Sequence, residues 1–547
     1  MKKSFSLAAA ALLALACHAA LAADARFDIR RFQVEGNSLL SAAAIGRALD
    51  PLLGTGKAYG DIQKALEALQ FAYRQAGYSA VLLQVPEQEL TGGVVRIEVR
   101  ESTIGSVTIS GNRHFDDANI LASLAALRPG APPRLHELSD AIQLANDNPA
   151  KMVEVTFASG ARDGLLDARV KVSDSDPLRV ALSVDNSGTE ASGKWRTGVA
   201  LQHANLFGRD HVASVAYTTA VASPDGVHVK LWSLGYRIPL YRLGDSVDVI
   251  YGNSSVNTPG TSPTLGGLLG IVGKGDVAGL RWNHFFARQG NVTSKLVYSL
   301  DHKYINSRCS VNGQDVSYAP PTPGISSCVP YTTMPLGATY FWRRQDAADL
   351  LDLNLGFARN LPRGTRYTNV GGRTDRYSDL TPGNRNTSDE FMIVRGGASL
   401  FHTWASDWQW HLAVNGQLAS DPLLASEQFG LAGAAAVRGF GERAVAADGG
   451  SIVNAEVYAP QMAAPRGLPG SLRLLAFYDI GRGYNLGTGS GATPAHVHIA
   501  SAGFGLRYGA GRNVDLRVDV ARVADAGPST TDSRGAWTSH IAMLFGF

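Results

Sequence analysis

A chain of 547 residues in which 50 lysines and arginines face 47 acidic residues carries a net charge of only +3. That argues against nucleic acid as the main partner, because phosphate binding needs a concentrated basic surface. Sixty glycines, 18% charged residues and a mean hydropathy near zero suit many strands and turns, and no window beyond the first residues approaches the ~18–20 apolar residues of a membrane helix. A membrane protein of this composition has to be a barrel.

The chain opens on Lys2 and Lys3, an apolar run over 7–16 and the small residues Ala20-Leu21-Ala22. These read as an export signal over 1–22, with a mature chain that starts near Ala23. The weaker alternative is a lipoprotein acylated on Cys17, because Ala14 stands where a large aliphatic residue is usual.

An apolar strand over 27–34 ends at Glu35-Gly36-Asn37, and a second over 104–110 ends at Gly111-Asn112. After each, the pattern predicts a short helix (41–53; 116–127), a longer one (59–75; 135–145) and two strands (80–85 with 94–100; 152–157 with 165–172). This repeat predicts two tandem α+β modules, 23–101 and 102–175. In the longer helix of the first, Ile62, Leu66, Leu69 and Tyr73 recur at three- and four-residue steps, one stripe to lay on a small sheet, and Gly77 is placed to end it.

From about Pro177 the period changes to 2. Trp408, Trp410, Leu412, Val414 and Leu418 alternate with Gln409, His411, Asn415 and Gln417, and Trp537, Ile541, Met543, Phe545 and Phe547 share one face of the last segment. A soluble sandwich also alternates, but about sixteen such segments fit into 176–547 with short links alternating with long polar ones, as in an all-β membrane barrel. The long links are expected near 258–273, 307–333, 360–390 and 419–449. If the first strand rises from the periplasm, all lie outside. One holds Cys309 and Cys328, the two cysteines of the mature chain, whose simplest fate in an exported protein is a disulfide stapling that loop by about 3 kcal/mol. A zinc site from two thiols without well-spaced histidines is less supported.

The last quarter carries Val437-Arg438-Gly439-Phe440-Gly441-Glu442 and, further on, Phe477-Tyr478-Asp479-Ile480-Gly481. An arginine stays charged and presents a planar fork of donors, so a carboxylate on a barrel wall can hold it bidentately in a partly dry lumen. Gly439 and Gly441 let the backbone turn beside the wall. Glu442 and Glu456 are further lumen partners or solvated surface charges.

Several motifs together resemble one family. Residues 73–99, with Gly77-Tyr78, Pro86-Glu87-Gln88 and Gly93, are similar to the first POTRA module of two-partner secretion transporters (TpsB). Asp185-Asn186-Ser187-Gly188, with Gly193, Arg196, Gly198, Asn205, Gly208 and Asp210, looks like their opening barrel hairpin. The Val-Arg-Gly-Phe loop and Phe-x-Asp-x-Gly strand are shared with the wider Omp85 superfamily. The resemblance implies two tandem POTRA domains followed by a 16-stranded transmembrane β-barrel in a Gram-negative outer membrane, with the POTRA domains in the periplasm. It also implies that the sixth outer loop folds into the pore to bring Arg438 to Asp479.

The implied function is secretion of an unfolded exoprotein without ATP. The implied partners are a cognate adhesin, haemolysin or toxin, outer-membrane lipid, and the barrel-assembly machinery that reads Phe547 as its signal. The expected capture edges are Ala80, Val81, Leu83 and Val85, and Met152, Val153 and Val155, to which an extended chain adds as a strand. A strand starting at Phe27 leaves no length for the N-terminal plug helix of several relatives, so a larger resting conductance is expected.

No catalytic, metal or cofactor site is legible, since the chain lacks a Gly-x-Ser-x-Gly elbow, a His-Glu-x-x-His helix and a phosphate loop. The runner-up function is a barrel-assembly insertase of the same superfamily. Such proteins usually carry more modules. A passive porin, which needs no modules, ranks last.

Overall fold

The computed structural model describes residues 26–547 apart from 226, 256–259, 262–269, 272–273, 307–309, 312–313, 316–328, 369–371, 378–379, 381–384 and 489–492. The expected signal and both loop cysteines, Cys309 and Cys328, lie outside the described residues. The chain divides into two compact units. The first holds residues up to Thr108 with Ala126–Leu138 and Val155–Val170; the second holds Ile109–Ala125, Ser139–Glu154 and Lys171–Phe547.

The N-terminal elements are β1 (Phe27–Ile29), β2 (Arg31–Glu35), α1 (Ala42–Leu49), β3 (Gly54–Lys57), α2 (Tyr59–Gln75), β4 (Val81–Gln84) and β5 (Val94–Glu101). Two expectations need correction. The strand expected over 27–34 is two strands, because the Arg30 N–H bonds to Gly93 O at 2.7 Å; β1 pairs with β3 while β2 pairs in parallel with β5. The helix expected to run to 53 ends at Leu49, where Pro51 stands in a short 3-10 turn and glycines lead into β3. The sheet order is β2-β5-β4. On it α2 buries Ile62, Leu69 and Tyr73, with Ala65 between them.

Downstream come β6 (Thr103–Ser110), α3 (Asp117–Ser123), α4 (Leu135–Ala145), β7 (Lys151–Ser159) and β8 (Leu165–Asp174), in sheet order β6-β8-β7. α3 is shorter than the helix expected over 116–127, because the Asp116 carboxylate caps the Asn119 N–H at 2.7 Å and Leu124 leaves the helical region.

Sixteen wall strands among the described residues close a barrel: β9 (Leu178–Asp185), β10 (Arg196–Leu206), β11 (His211–Ala220), β12 (Leu231–Leu240), β13 (Asp245–Ser254), β14 (Gly275–Gln289), β15 (Val292–Ile305), β16 (Pro335–Gln345, preceded by Tyr331–Thr333 along the same neighbour), β17 (Asp349–Asn360), β18 (Met392–Thr403), β19 (Gln409–Ala419), β20 (Gly449–Tyr458), β21 (Ser471–Tyr484), β22 (His496–Ala510), β23 (Val514–Asp525) and β24 (Trp537–Gly546). All neighbours are antiparallel, and closure comes from β24 on β9, in register from Ala542 opposite Asp185 to Gly546 opposite Ala181. Phe547 extends that seam, donating to Val180 O at 2.8 Å and accepting from the Val180 N–H at 3.2 Å. Exposed apolar side chains fall at alternate positions, as at Leu353, Leu355 and Phe357 on β17. That is the lipid-facing pattern.

Within the second unit a buried ion pair ties β7 to the first short turn of the barrel. Lys151 Nζ lies 2.5 Å from Asp210 Oδ2, with both side chains essentially unexposed, and the Tyr241 hydroxyl donates to the same oxygen at 2.5 Å. Burial pushes the Lys151 ammonium down from its usual range against the pull of Asp210.

Candidate functional site

The link between β19 and β20, residues 420–448, turns back onto the wall. Its apolar side chains Leu431, Val437, Phe440 and Val445 cluster with Ile452, Ile499 and Val523 of β20, β22 and β23. Alternation says which side of the wall this is. On β21 Phe477 and Asp479 are buried while Tyr478 between them is exposed, as are Phe504 and Val520 on the neighbouring strands. The exposed apolar face belongs to lipid, so the loop lies inside the barrel.

Arg438 reaches the wall from this loop. Its Nε and Nη2 donate to the two oxygens of Asp479 at 2.7 and 2.8 Å, and its main-chain N–H adds a third bond to the same carboxylate at 3.2 Å. Nη1 donates to Glu456 Oε1 at 2.7 Å and lies 3.5 Å from Asp519 Oδ1. The guanidinium stacks 3.5 Å from the centroid of the Phe477 ring, a cation–π contact in a desolvated place.

The carboxylates are themselves braced. Asp519 takes two bonds from Arg507 at 2.9 and 3.0 Å. Glu456 faces His411 Nδ1 at 2.9 Å and accepts from the Tyr458 hydroxyl at 2.7 Å. Asn454 Nδ2 bridges Asp479 Oδ1 and the loop carbonyl of Ala436, both at 2.8 Å. Two arginines thus sit among three carboxylates, a network in which the buried charges and their lone pairs find partners.

The glycines make the approach possible. Gly439 has φ +92°, and a Cβ there would lie 3.1 Å from Ala521 Cβ; its N–H donates to His540 Nε2 on β24 at 2.9 Å. A Cβ at Gly481 would stand 2.9 Å from Val437 Cγ2. The loop is therefore bonded or packed to β20, β21, β22, β23 and β24. A second anchor closes its C-terminal end: Asp448, fully buried, pairs with Arg385 at 2.6 Å and accepts from the Leu423 and Leu486 N–H groups at 3.0 and 2.8 Å. Glu427 holds Lys303 of β15 at 2.9 Å and the Thr333 hydroxyl at 2.8 Å.

Of the residues singled out from sequence, Val437, Arg438, Gly439, Phe440, Phe477, Asp479 and Gly481 meet at this place, joined by Glu456. Glu442 does not join Arg438; it lies within electrostatic reach of Asp185 on β9. It braces its own loop by accepting from the Ala434 N–H at 2.7 Å. Asp519, Arg507, His540 and Asn454 went unrecognised, although each is a polar residue at an inward position of an alternating strand. The capture edges divide: β4 and β7 are edge strands of their sheets, but Val81, Leu83 and Val85 pack on the core and Leu82 is the exposed side chain, while on β7 Met152 is exposed and Val153 is buried. Ala80 and Val155 are half-buried. The Phe547 ring is exposed.

The family model described as haemolysin secretion/activation protein ShlB/FhaC/HecB matches residues 166–508, and that described as POTRA domain, ShlB-type, matches residues 27–102. The heme/hemopexin transporter protein HuxB of Haemophilus influenzae is 21% identical over 539 residues, covering 94% of this chain and 87% of that protein. The outer membrane transporter CdiB of Dickeya dadantii is 22% identical over 426 residues, covering 76% and 68%. Among solved structures, CdiB from Escherichia coli has a TM-score of 0.72 at 18% identity over 97% of this chain and 92% of that one. CdiB from Acinetobacter baumannii has 0.69 at 15% over 95% and 90%. At such identities the structures speak for the fold, whereas the family match spans more than half of the sequence: the chain belongs to the haemolysin secretion/activation family, the outer-membrane pores of two-partner secretion, with a POTRA domain in the periplasm.

Proposed function

We propose that this transporter captures an extended exoprotein on two tandem POTRA modules, 23–101 and 102–175, and passes it through the barrel, 176–547, with the Arg438 loop as the element that moves aside. The carrying observation is the loop held inside the barrel by one arginine on the carboxylates of Asp479 and Glu456. A buried charge network of this kind is bistable: fully made it pins the loop, and once the pair parts each charge needs water or a new partner.

A repeated clamp supports the second module as a POTRA domain. In the first, Gly36 has φ +82° and its Cβ would meet Val99 O, Asn37 Nδ2 donates to Leu40 O at 2.9 Å, and Glu101 at the sheet end accepts from the Ser38 and Leu39 N–H groups at 2.9 and 3.0 Å. In the second, Gly111 has φ +89° beside Val172 O, Asn112 Nδ2 donates to Phe115 O at 2.9 Å, and Asp174 accepts from the His114 and Phe115 N–H groups at 2.8 and 3.0 Å. The same turn and the same acidic grip recur.

The edge strands β4 and β7 offer main-chain pairing to an adhesin, haemolysin or toxin in extended form. Transport involves no catalytic step and no ATP; folding of the cargo outside supplies direction. Lipid holds the apolar band, and the barrel-assembly machinery inserts the chain through its Phe547 end. Depleting the protein tests the assignment: loss of one or few exported proteins supports a dedicated transporter, and loss of many outer-membrane proteins would instead mark an insertase.

A further inference from the structure

The outer edge of β7 is not open along its whole length. The Gly160 N–H bonds to Leu165 O and the Ser175 N–H to Ala150 O, both at 2.9 Å. These bonds set the parity of the strand: even-numbered residues turn their main-chain groups towards β8, and odd-numbered ones towards the free edge. Val153 is odd-numbered, and both of its edge-facing groups are taken. Asn146, the first residue beyond α4, accepts from the Val153 N–H through Oδ1 at 2.7 Å and donates from Nδ2 to Val153 O at 3.1 Å.

A carboxamide carries the donor and acceptor of a peptide unit, so Asn146 stands where one rung of an added strand would bond. It is exposed and can be displaced. The edge-facing residue before Val153 cannot yield in the same way, since Lys151 is buried on Asp210. The residues next to Asn146 are anchored too, Asp147 on Arg237 and Asn148 Nδ2 on Ala204 O at 2.7 Å.

We propose that Asn146 is a register stop on the β7 edge. It confines an incoming extended chain to the rungs of Val155 and Phe157, and it leaves only when a strand takes over Val153. The inference rests on the strand-capture reading above and names the residue that sets which stretch of cargo can pair there. Edge capping by a side chain is also a defence against unwanted strand addition.

The test uses the full chain in detergent micelles, with a decapeptide of alternating threonine and valine as the probe, N-methylated at one position at a time. Measurements are made in a Leu83→Pro background. The Ser102 N–H bonds to Ala80 O, which turns the Leu83 N–H to the free edge of β4, so proline there blocks that edge while sparing the ladder. The expected result is that Asn146→Ala adds one N-methyl-sensitive position, opposite Val153, and tightens binding roughly tenfold through two further main-chain bonds. Without peptide, the Val153 amide exchanges hydrogen at least about tenfold faster in Asn146→Ala, while those of Met152 and Glu154, which face β8, do not change.

An unchanged N-methyl profile and affinity in Asn146→Ala overturn the register stop but leave strand capture standing. Unchanged Val153 exchange overturns it as well. If the peptide binds neither edge, in chains with and without Leu83→Pro, strand capture itself falls and the register stop with it.

Discussion

Replacing Arg438 by alanine removes the cation that Asp479 and Glu456 share and leaves both buried carboxylates without it. Asp479 is fully buried and the other two side chains are nearly so. Removing one partner of a buried, hydrogen-bonded pair costs about 3–5 kcal/mol, because the remaining charge stays desolvated. If all of that falls on the docked state of the loop, the ratio of docked to undocked loop drops by roughly two to four orders of magnitude. The wall strands keep their ladders, so the barrel still inserts. The expected result is strongly reduced export from a normally inserted, heat-modifiable barrel, with a cysteine placed at exposed Ala435 labelled faster by a polar maleimide. Lysine at 438 should rescue only in part, since it cannot reproduce the fork onto Asp479. Wild-type export by a well-expressed Arg438→Ala chain, together with unchanged labelling, would refute the reasoning.

Further outcomes follow from the same contacts. Gly481→Val places a side chain where Val437 packs and should mimic Arg438→Ala in labelling although every charge is kept; a normal labelling rate would show that the wall tolerates the bulk. In the first module burial pushes the Glu101 carboxylate up, but hydrogen bonds from the Ser38 hydroxyl, the Ser38 and Leu39 N–H groups and the Tyr73 hydroxyl more than offset it, so its pKa is lowered from 4.5. A lowered folded-state pKa contributes stability that is present above 4.5 and is lost as pH falls through the lowered value. Glu101→Gln should therefore flatten the acid limb of a stability–pH curve measured by fluorescence, and an unchanged limb would remove Glu101 from the account. Asp210→Ala takes the carboxylate from the buried Lys151 ammonium and leaves it on Asn119 Oδ1 at 3.1 Å and the Phe115 ring; the unpaired charge costs about 3–5 kcal/mol and should lower the midpoint of thermal unfolding without reducing Arg438-dependent export in barrels that remain folded. Deleting Phe547 removes two main-chain bonds from the closing seam; assembly at wild-type yield would reduce that residue to a lipid-facing anchor.

Much of this was legible in advance where a local rule decides it. The stripe of Ile62, Leu69 and Tyr73 is a helix because its period is 3.6, and the walls are strands because theirs is 2. Breaks that depend on partners were not legible. Nothing local to Phe27–Val34 says that Arg30 bonds to Gly93, nor that the glycines after Leu53 form a strand with β1. Glu442 and Glu456 looked alike as single residues; one braces its own loop and the other holds Arg438, because side-chain direction at a loop turn does not follow from spacing. The exposed Asn146 is an ordinary polar residue until the edge of β7 is placed beside it.

By itself the sequence determined the amphipathic helices and the alternation that makes a barrel, which rest on chemistry carried within a few neighbouring residues. The meeting of Arg438 with Asp479 was implied by the resemblance of their two motifs to a family. Only the tertiary structure decided that three carboxylates rather than one surround Arg438, that His540 of the last strand receives Gly439, and which rungs of β7 stay free. Each of those unites residues from different elements, and their distance is set by barrel closure, strand register and the seating of a loop or helix end, which no local pattern encodes.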